Sequence, residues 1–185
     1  TIEETTQLLS THENVNWSKM LNQIHDLGLE TTMKKQYQNA SNISARIHLH
    51  ALYSHNSQGW FSWIREQCLF MPNIRILEIG CGDGTFWKEC LNSIPASVSI
   101  ILSDISDGML RDARRSLGTE DSRFHFQKFN CESIPYEDES FDLVIANHVL
   151  FYCDNISASC TEIARVLKPD GMFLCSTYGK EHMKE

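Results

Sequence analysis

Short apolar runs alternate along this chain with segments whose apolar side chains recur at helical spacing. The apolar runs that predict β-strands lie near residues 74–79, 98–103, 123–129, 141–146 and 171–177. In the segment after the first run, Phe86, Trp87, Cys90 and Leu91 form the stripe of a helix that packs on a sheet. With helices expected in the gaps, this alternation predicts an α/β fold with a doubly wound, mostly parallel sheet.

The same pattern divides the chain into three parts. Residues 1–15 are predicted to be a polar leader, and residues 16–70 a helical lid. Residues 71–185 contain the strands, and we expect them to form one compact unit with the lid.

A glycine-rich loop directly follows the first predicted strand. Its glycines are Gly80, Gly82 and Gly84, with Cys81 between the first two and Glu78 before them. Glycine lets the backbone adopt positive φ and approach a ligand closely, so the loop predicts a nucleotide-type cofactor. A dinucleotide loop requires another glycine at the position of Thr85, so the spacing disfavours NAD and FAD.

A carboxylate stands at the end of the second predicted strand. Asp104 follows Gly84 by 20 residues, close to the spacing at which a βαβ unit places a carboxylate on ribose hydroxyls. The alternative interpretation is a helix cap, because a helix is predicted from about Ser106. Ile105 and Met109 would flank an adenine ring next to this carboxylate, or they are ordinary core residues.

Together these segments resemble class I S-adenosylmethionine (SAM) methyltransferases. The Glu-x-Gly-x-Gly-x-Gly loop is similar to their first motif, and residues 129–142 resemble a block of the small-molecule enzymes related to ubiquinone and menaquinone methyltransferases (type 11). Residues 161–177 resemble the family's last helix and strand five, and Glu162 and Arg165 are expected to pair on that helix. The resemblance implies that residues 71–185 form a SAM-binding, Rossmann-like domain.

The resemblance also implies how the cofactor is bound. Glu78, Cys81 and the three glycines would surround the methionine tail, and Asp104 would accept from the ribose hydroxyls. Asn130, where the family has Asp, would accept from the adenine amine, and Cys131 and Glu132 would offer backbone to the ring. The alternative for Asn130 is a turn residue.

Four further residues are candidates for the methionine end or the acceptor. Backbone at Asn147 would face the methionine portion, and His148 is either a general base or a residue that only shapes the pocket. Arg46 would hold the methionine carboxylate, or it is an ordinary surface residue. Trp60 is a candidate for acceptor contact or for lid packing.

Composition restricts the other classes of function. A net charge of −8 disfavours a nucleic-acid partner, and no apolar run has the length of a membrane span. Seven cysteines without a Cys-x-x-Cys pair favour a reducing, cytoplasmic location. Cys81 and Cys131 are either sites of modification or small apolar fillers. We expect no metal site, because His48 and His50 point to different faces of a helix.

These observations predict a SAM-dependent methyltransferase that acts on an O, N or C atom of a small-molecule metabolite and releases S-adenosylhomocysteine. The alternative is a non-catalytic or truncated SAM-binding module, and an NAD-dependent oxidoreductase is a remote possibility. Relatives continue past strand five into a hairpin that we expect to be missing here. The exposed sheet edge would then allow a homodimer.

Overall fold

The computed structural model describes residues 58–177, and the fold is given for that range. The polar leader, most of the predicted lid and Arg46 lie outside the described residues. The helices are α1 (Trp60–Gln67), α2 (Thr85–Cys90), α3 (Asp107–Leu117) and α4 (Ile156–Val166). The strands are β1 (Arg75–Ile79), β2 (Ser99–Asp104), β3 (Phe124–Lys128), β4 (Phe141–Asn147) and β5 (Leu167–Ser176). Short 3-10 turns cover Leu91–Ser93 and Leu150–Tyr152.

The five strands form one parallel sheet in the order β3-β2-β1-β4-β5. β1 lies at the centre, where Ile76 pairs with Ile100 of β2 on one side and Leu143 of β4 on the other. The chain leaves β1 towards β2 and later returns to β4, so the strand order reverses at β1. Ligands of open α/β sheets bind at such a switch point, outside the carboxyl ends of the strands.

Side chains that alternate along the strands form two core layers. On one face, Ile76 and Ile100 pack with Phe86, Trp87 and Ala113 from α2 and α3. On the other face, the core residues include Leu77, Ile101, Val144, Ile163 and Val166, the last two from α4. Helices therefore cover both faces of the sheet, which confirms the predicted doubly wound α/β fold.

Two sequence expectations about local structure are wrong. Residues 129–140 form turns, not the helix that we expected between β3 and β4. The last strand was expected near residues 171–177, but β5 begins at Leu167, directly after α4, so Pro169 and Gly171 lie within the strand. Proline lacks an N–H for the ladder, and the pairing accordingly shifts: Phe141 pairs with Leu167, but Leu143 pairs with Met172.

β3 and β5 are the outer strands of the sheet in the described range. The predicted homodimer through a sheet edge remains a prediction. Among the described residues, no helix is both long and apolar enough to cross a lipid bilayer.

Candidate functional site

The glycine loop joins the carboxyl end of β1 to α2, and all three of its glycines have positive φ. The angles are 67° at Gly80, 57° at Gly82 and 75° at Gly84. A Cβ added at Gly80 would lie 2.4 Å from Cγ2 of Val149, which follows β4. Glycine is therefore required at position 80 both for its backbone conformation and for the approach of the β4 segment.

Asp104 ties the glycine loop to the end of β2. Its Oδ2 accepts a hydrogen bond from the Gly82 N–H at 3.1 Å, and its Oδ1 accepts from the Ser106 N–H at 2.8 Å. Burial raises the pKa of this carboxyl, while hydrogen bonds from Ser106, Gly82 and Ile105 oppose the rise. A carboxylate has about four acceptor sites, so Asp104 can still accept from a ligand hydroxyl beside these backbone donors.

The helix-cap interpretation of Asp104 is wrong. The N-cap of α3 is Ser106, whose hydroxyl accepts from the Met109 N–H at 3.3 Å. Because the Ser106 hydroxyl caps α3, the Asp104 carboxylate is not needed as the cap of that helix. Its position is consistent with a ligand role.

Ile105 and Met109 lie near this carboxylate in different environments. Ile105 has 67% of its surface exposed, which is high for a large apolar side chain, whereas Met109 has only 1% exposed. Ile105 therefore presents an apolar surface next to Asp104, and Met109 is packed inside. Their adenine contacts stay a prediction.

Glu78 lies beneath the loop, on the core side of β1. Its carboxyl is 3% exposed and accepts a hydrogen bond from the indole N–H of Trp87 in α2. Burial raises the pKa of Glu78 to about 8, although the Trp87 hydrogen bond acts in the opposite direction. In the structure, Glu78 thus connects β1 to α2 and fixes the start and end of the loop relative to each other.

Asn130 begins a turn at the carboxyl side of β3. Its Oδ1 accepts from the Glu132 N–H at 3.0 Å, and its backbone oxygen accepts from the Ser133 N–H at 3.0 Å. The structure therefore shows the turn role that sequence reasoning gave as the alternative. Cys131 is buried in this turn, and Glu132 Oε1 accepts from the Asn155 N–H at 2.9 Å. Contacts of these three residues with adenine stay a prediction.

Arg165 of α4 anchors the block that contains this turn. Its guanidinium donates to the backbone oxygens of Ile134 and Tyr136 at 2.9 and 2.8 Å. It also pairs with Glu162 at 2.7 Å, which confirms the predicted pair, and with Asp138 at 2.8 Å. The hydrogen bonds that it donates to these carboxylates raise the pKa of Arg165. Of these contacts of Arg165, only the one with Glu162 was predicted from the sequence.

Asn147 and His148 lie at the carboxyl end of β4, as predicted. His148 has φ of 51°, and its N–H lies 3.1 Å from both the backbone oxygen and the hydroxyl of Ser176 in β5. Asn147 Oδ1 lies 3.3 Å from the Ser176 hydroxyl, while its Nδ2 is buried without a hydrogen-bond partner among the described residues. The His148 ring packs on Trp60 of α1, with ring centroids 4.9 Å apart.

The structure thus brings most predicted site residues to one edge of the sheet. The glycine loop follows β1, Asp104 and Ile105 follow β2, and Asn147 and His148 follow β4. Among residues 58–177, no three His, Cys, Asp or Glu side chains are grouped as metal ligands. A central glycine loop with a carboxylate after the neighbouring strand is the cofactor site of a doubly wound, Rossmann-like fold, and Thr85 in place of a third dinucleotide glycine favours SAM over NAD as the cofactor.

Comparison with known families agrees with this assignment. Residues 77–175 match a family described as a methyltransferase domain, and the match covers more than half of the chain. The chain therefore belongs to this methyltransferase domain family.

Individual relatives come from several kinds of enzyme. A highly reducing polyketide synthase of Penicillium polonicum is 37% identical over 105 residues, which cover 54% of this chain and 4% of that protein. A malonyl-acyl-carrier-protein O-methyltransferase of Methylococcus capsulatus is 32% identical, with 62% of this chain and 41% of the relative covered. A demethylmenaquinone methyltransferase of Symbiobacterium thermophilum is also 32% identical, with 63% and 48% covered. The chain thus matches less than half the length of each of these relatives.

Among solved structures, a SAM-dependent methyltransferase of Mesorhizobium loti superposes with a TM-score of 0.55 and 24% identity. The superposition covers 65% of this chain and 54% of that one. At this identity the likeness supports the shared fold and nothing finer.

Proposed function

We propose that this chain binds SAM and transfers its methyl group to a small-molecule acceptor, with S-adenosylhomocysteine as the product. The observation that carries the proposal is the contact between the Asp104 carboxylate and the Gly82 N–H. This contact joins a carboxylate in the position expected for ribose binding to the glycine-rich loop. Both lie where the strand order of the parallel sheet reverses.

The residues present fit this cofactor. The Asp104 carboxylate would accept from the ribose hydroxyls, and exposed Ile105 would cover one face of the adenine ring. The backbone of the glycine loop and of Asn147 would lie along the methionine part. The turn from Asn130 to Glu132 would border the adenine edge.

When bound, SAM supplies an electrophilic methyl group on a sulfonium. The chain's own contribution is mainly positional, because holding two reactants in attack geometry is worth about 7–11 kcal/mol of the barrier. We propose His148, which directly follows β4, as the candidate base. A positioned base would contribute roughly 10²–10⁴-fold.

Acyl groups are the acceptor class that we would test first. The relatives include a malonyl-acyl-carrier-protein O-methyltransferase and a polyketide synthase, and the demethylmenaquinone enzyme supports a quinol as the second class. The acceptor atom, a cytoplasmic location and the lack of a nucleic-acid partner remain predictions.

Calorimetric titration with S-adenosylhomocysteine and with NAD tests the cofactor assignment. We expect the homocysteine compound alone to bind, and Asp104→Ala to weaken it at least tenfold. Glu120→Gln is the control, because Glu120 is exposed and follows the carboxyl end of α3, whereas Asp104 precedes the start of that helix. Full affinity in the Asp104→Ala variant would contradict the ribose assignment.

Label transfer from SAM to a panel of acyl thioesters and quinols tests the activity. Transfer to one acceptor class is expected, with no transfer by an Asp104→Ala variant at the same SAM concentration. Tight binding of the cofactor without transfer to any acceptor would instead favour the non-catalytic binding module.

A further inference from the structure

Two thiols from separate parts of the chain meet beside the turn that begins at Asn130. The Sγ atoms of Cys131 and Cys153 lie 3.2 Å apart, although the residues are 22 positions apart in sequence. Ser159 of α4 completes the group, with its hydroxyl oxygen 3.4 Å from the Cys131 sulfur. Both cysteines are free thiols in the structure.

The backbone on either side of this pair is already held together. Glu132, next to Cys131, accepts from the N–H of Asn155, two residues after Cys153, at 2.9 Å. The Ser159 hydroxyl donates to the Asn155 backbone oxygen at 3.1 Å. A disulfide has a sulfur–sulfur distance of about 2.05 Å, so closing the bond would require an approach of only about 1 Å.

The two thiols differ in acidity. The hydrogen bond from Cys153 lowers the pKa of Cys131 to about 7, and a weaker contribution comes from Ser159. The same contact, together with burial, raises the pKa of Cys153. Since the thiolate is the nucleophilic form, we expect Cys131 to attack first and Cys153 to react in the second step.

We propose that Cys131 and Cys153 form an oxidisable dithiol that closes to an intramolecular disulfide when a hydroperoxide reaches it. The Cys131 thiolate attacks one peroxide oxygen, the O–O bond breaks, and the leaving oxygen takes up a proton as water or alcohol. Cys153 then attacks the sulfenic sulfur of Cys131, the S–O bond breaks, and a second water leaves with the thiol proton. Two thiols are oxidised and one peroxide is reduced.

The burial of the two thiols limits which oxidants can react with them. Cys131 has 7% and Cys153 8% of its surface exposed, so we expect only a small hydroperoxide, and not a protein thiol or disulfide, to react with the pair. The new bond would tie the turn at Asn130 to the segment that leads from β4 into α4. The position of that turn would then depend on the oxidation state of the pair.

Mass spectrometry of the reduced full-length chain tests this proposal. After brief treatment with hydrogen peroxide, the denatured protein is alkylated with N-ethylmaleimide. We expect the first product to carry five alkyl groups, which is the total of seven thiols minus the two in the bond. Trypsin leaves Cys131, Cys153 and Cys160 on one peptide, residues 129–165. An endopeptidase that cleaves before aspartate is used instead, because cleavage at Asp138, Asp142 and Asp154 puts the three thiols on separate peptides.

Single substitutions separate the pair from the other thiols. Cys160→Ser removes an exposed thiol of the same peptide and should leave the reaction unchanged. Cys153→Ser keeps a hydrogen-bond donor next to Cys131 but cannot form the disulfide, so the Cys131 sulfenic acid should accumulate, where dimedone traps it. Oxidation of Cys160 before any Cys131–Cys153 bond appears in the wild type would overturn the proposal, whether or not the variants fold.

Discussion

The imidazole of His148 packs against the indole of Trp60, with ring centroids 4.9 Å apart and planes inclined by 33°. Trp60 begins α1 and belongs to the predicted lid, whereas His148 follows β4 at the mouth of the site. The contact therefore links the lid segment to the edge of the sheet where the acceptor is expected. It also involves the imidazole that would act as the base if His148 is catalytic.

Replacement of His148 by Phe is predicted to change kcat for methyl transfer by less than tenfold. Phenylalanine keeps an aromatic ring against Trp60, and the two contacts of the backbone N–H with Ser176 do not depend on the side chain. If positioning supplies most of the catalysis, loss of the imidazole is tolerated. The measurement is kcat with the acceptor found by label transfer, over a range of pH.

His148→Asn is the matched control, because Asn tolerates the positive φ of this position but removes the ring. We expect it to lower the melting temperature more than His148→Phe does. A loss of 10² or more in kcat for both variants, with the acid limb of the pH profile abolished, would instead identify His148 as a general base.

Gly80→Ala is predicted to abolish binding of S-adenosylhomocysteine and to destabilise the fold. The added Cβ would clash with Val149, and a non-glycine residue at positive φ costs roughly 1–3 kcal/mol by itself. Denaturant unfolding measures the loss of stability, and calorimetry measures the loss of binding.

Gly118→Ala is the control for backbone strain alone, since Gly118 has φ of 80° but nothing within 4 Å of an added Cβ. Gly80→Ala should lower the free energy of unfolding more than this control does. Adding Val149→Ala to Gly80→Ala should restore the part that is lost to the clash, but not the part that is lost to backbone strain. Equal costs for the two single variants would show that the approach of Val149 is unimportant.

The sequence predicted the strands well because a parallel strand covered on both faces leaves a nearly continuous apolar run. Val98 to Leu102 and Leu143 to Ala146 are such runs, and each is followed by a polar residue at the carboxyl edge. Asp104 was predictable for the same reason, because the end of a strand fixes the location of the residue that follows.

Contacts that join distant parts of the chain were not predictable. No local pattern shows that Val149 approaches Gly80, or that Cys153 meets Cys131. The helix expected between β3 and β4 is absent because Arg165, far along the chain, satisfies backbone oxygens in the turns of that block. Tertiary hydrogen bonds there replace the bonds that a helix would make within itself.

Arg165→Lys is predicted to lower the melting temperature and to weaken S-adenosylhomocysteine binding. Lysine keeps the charge but lacks the planar fork that reaches Ile134, Tyr136 and the two carboxylates together. The turns at 129–140 would lose their common anchor. Thermal unfolding with and without ligand measures both effects.

Arg115→Lys, a change on the exposed side of α3, is the control and should have no effect on either quantity. Equal melting temperatures for wild type and Arg165→Lys would show that the salt bridges with Glu162 and Asp138 suffice without the backbone contacts.

The buried carboxyl of Glu78 is predicted to make stability depend on pH. Its pKa rises from 4.5 to about 8 on folding, so the folded state binds more protons than the unfolded state between these values. The contribution of Glu78 is therefore fully present below pH 4.5 and is lost as pH rises towards 8. Its slope approaches about 1.4 kcal/mol per pH unit within this window.

Glu78→Gln keeps an acceptor for the Trp87 indole but removes the titration. The free energy of unfolding of the wild type, measured relative to this variant, should fall steadily from pH 5 to pH 8. Glu120→Gln changes an exposed carboxylate and should follow the wild type across the same range. A wild-type curve parallel to that of Glu78→Gln would mean that Glu78 stays ionised in the fold, with the Trp87 N–H and the loop compensating its charge.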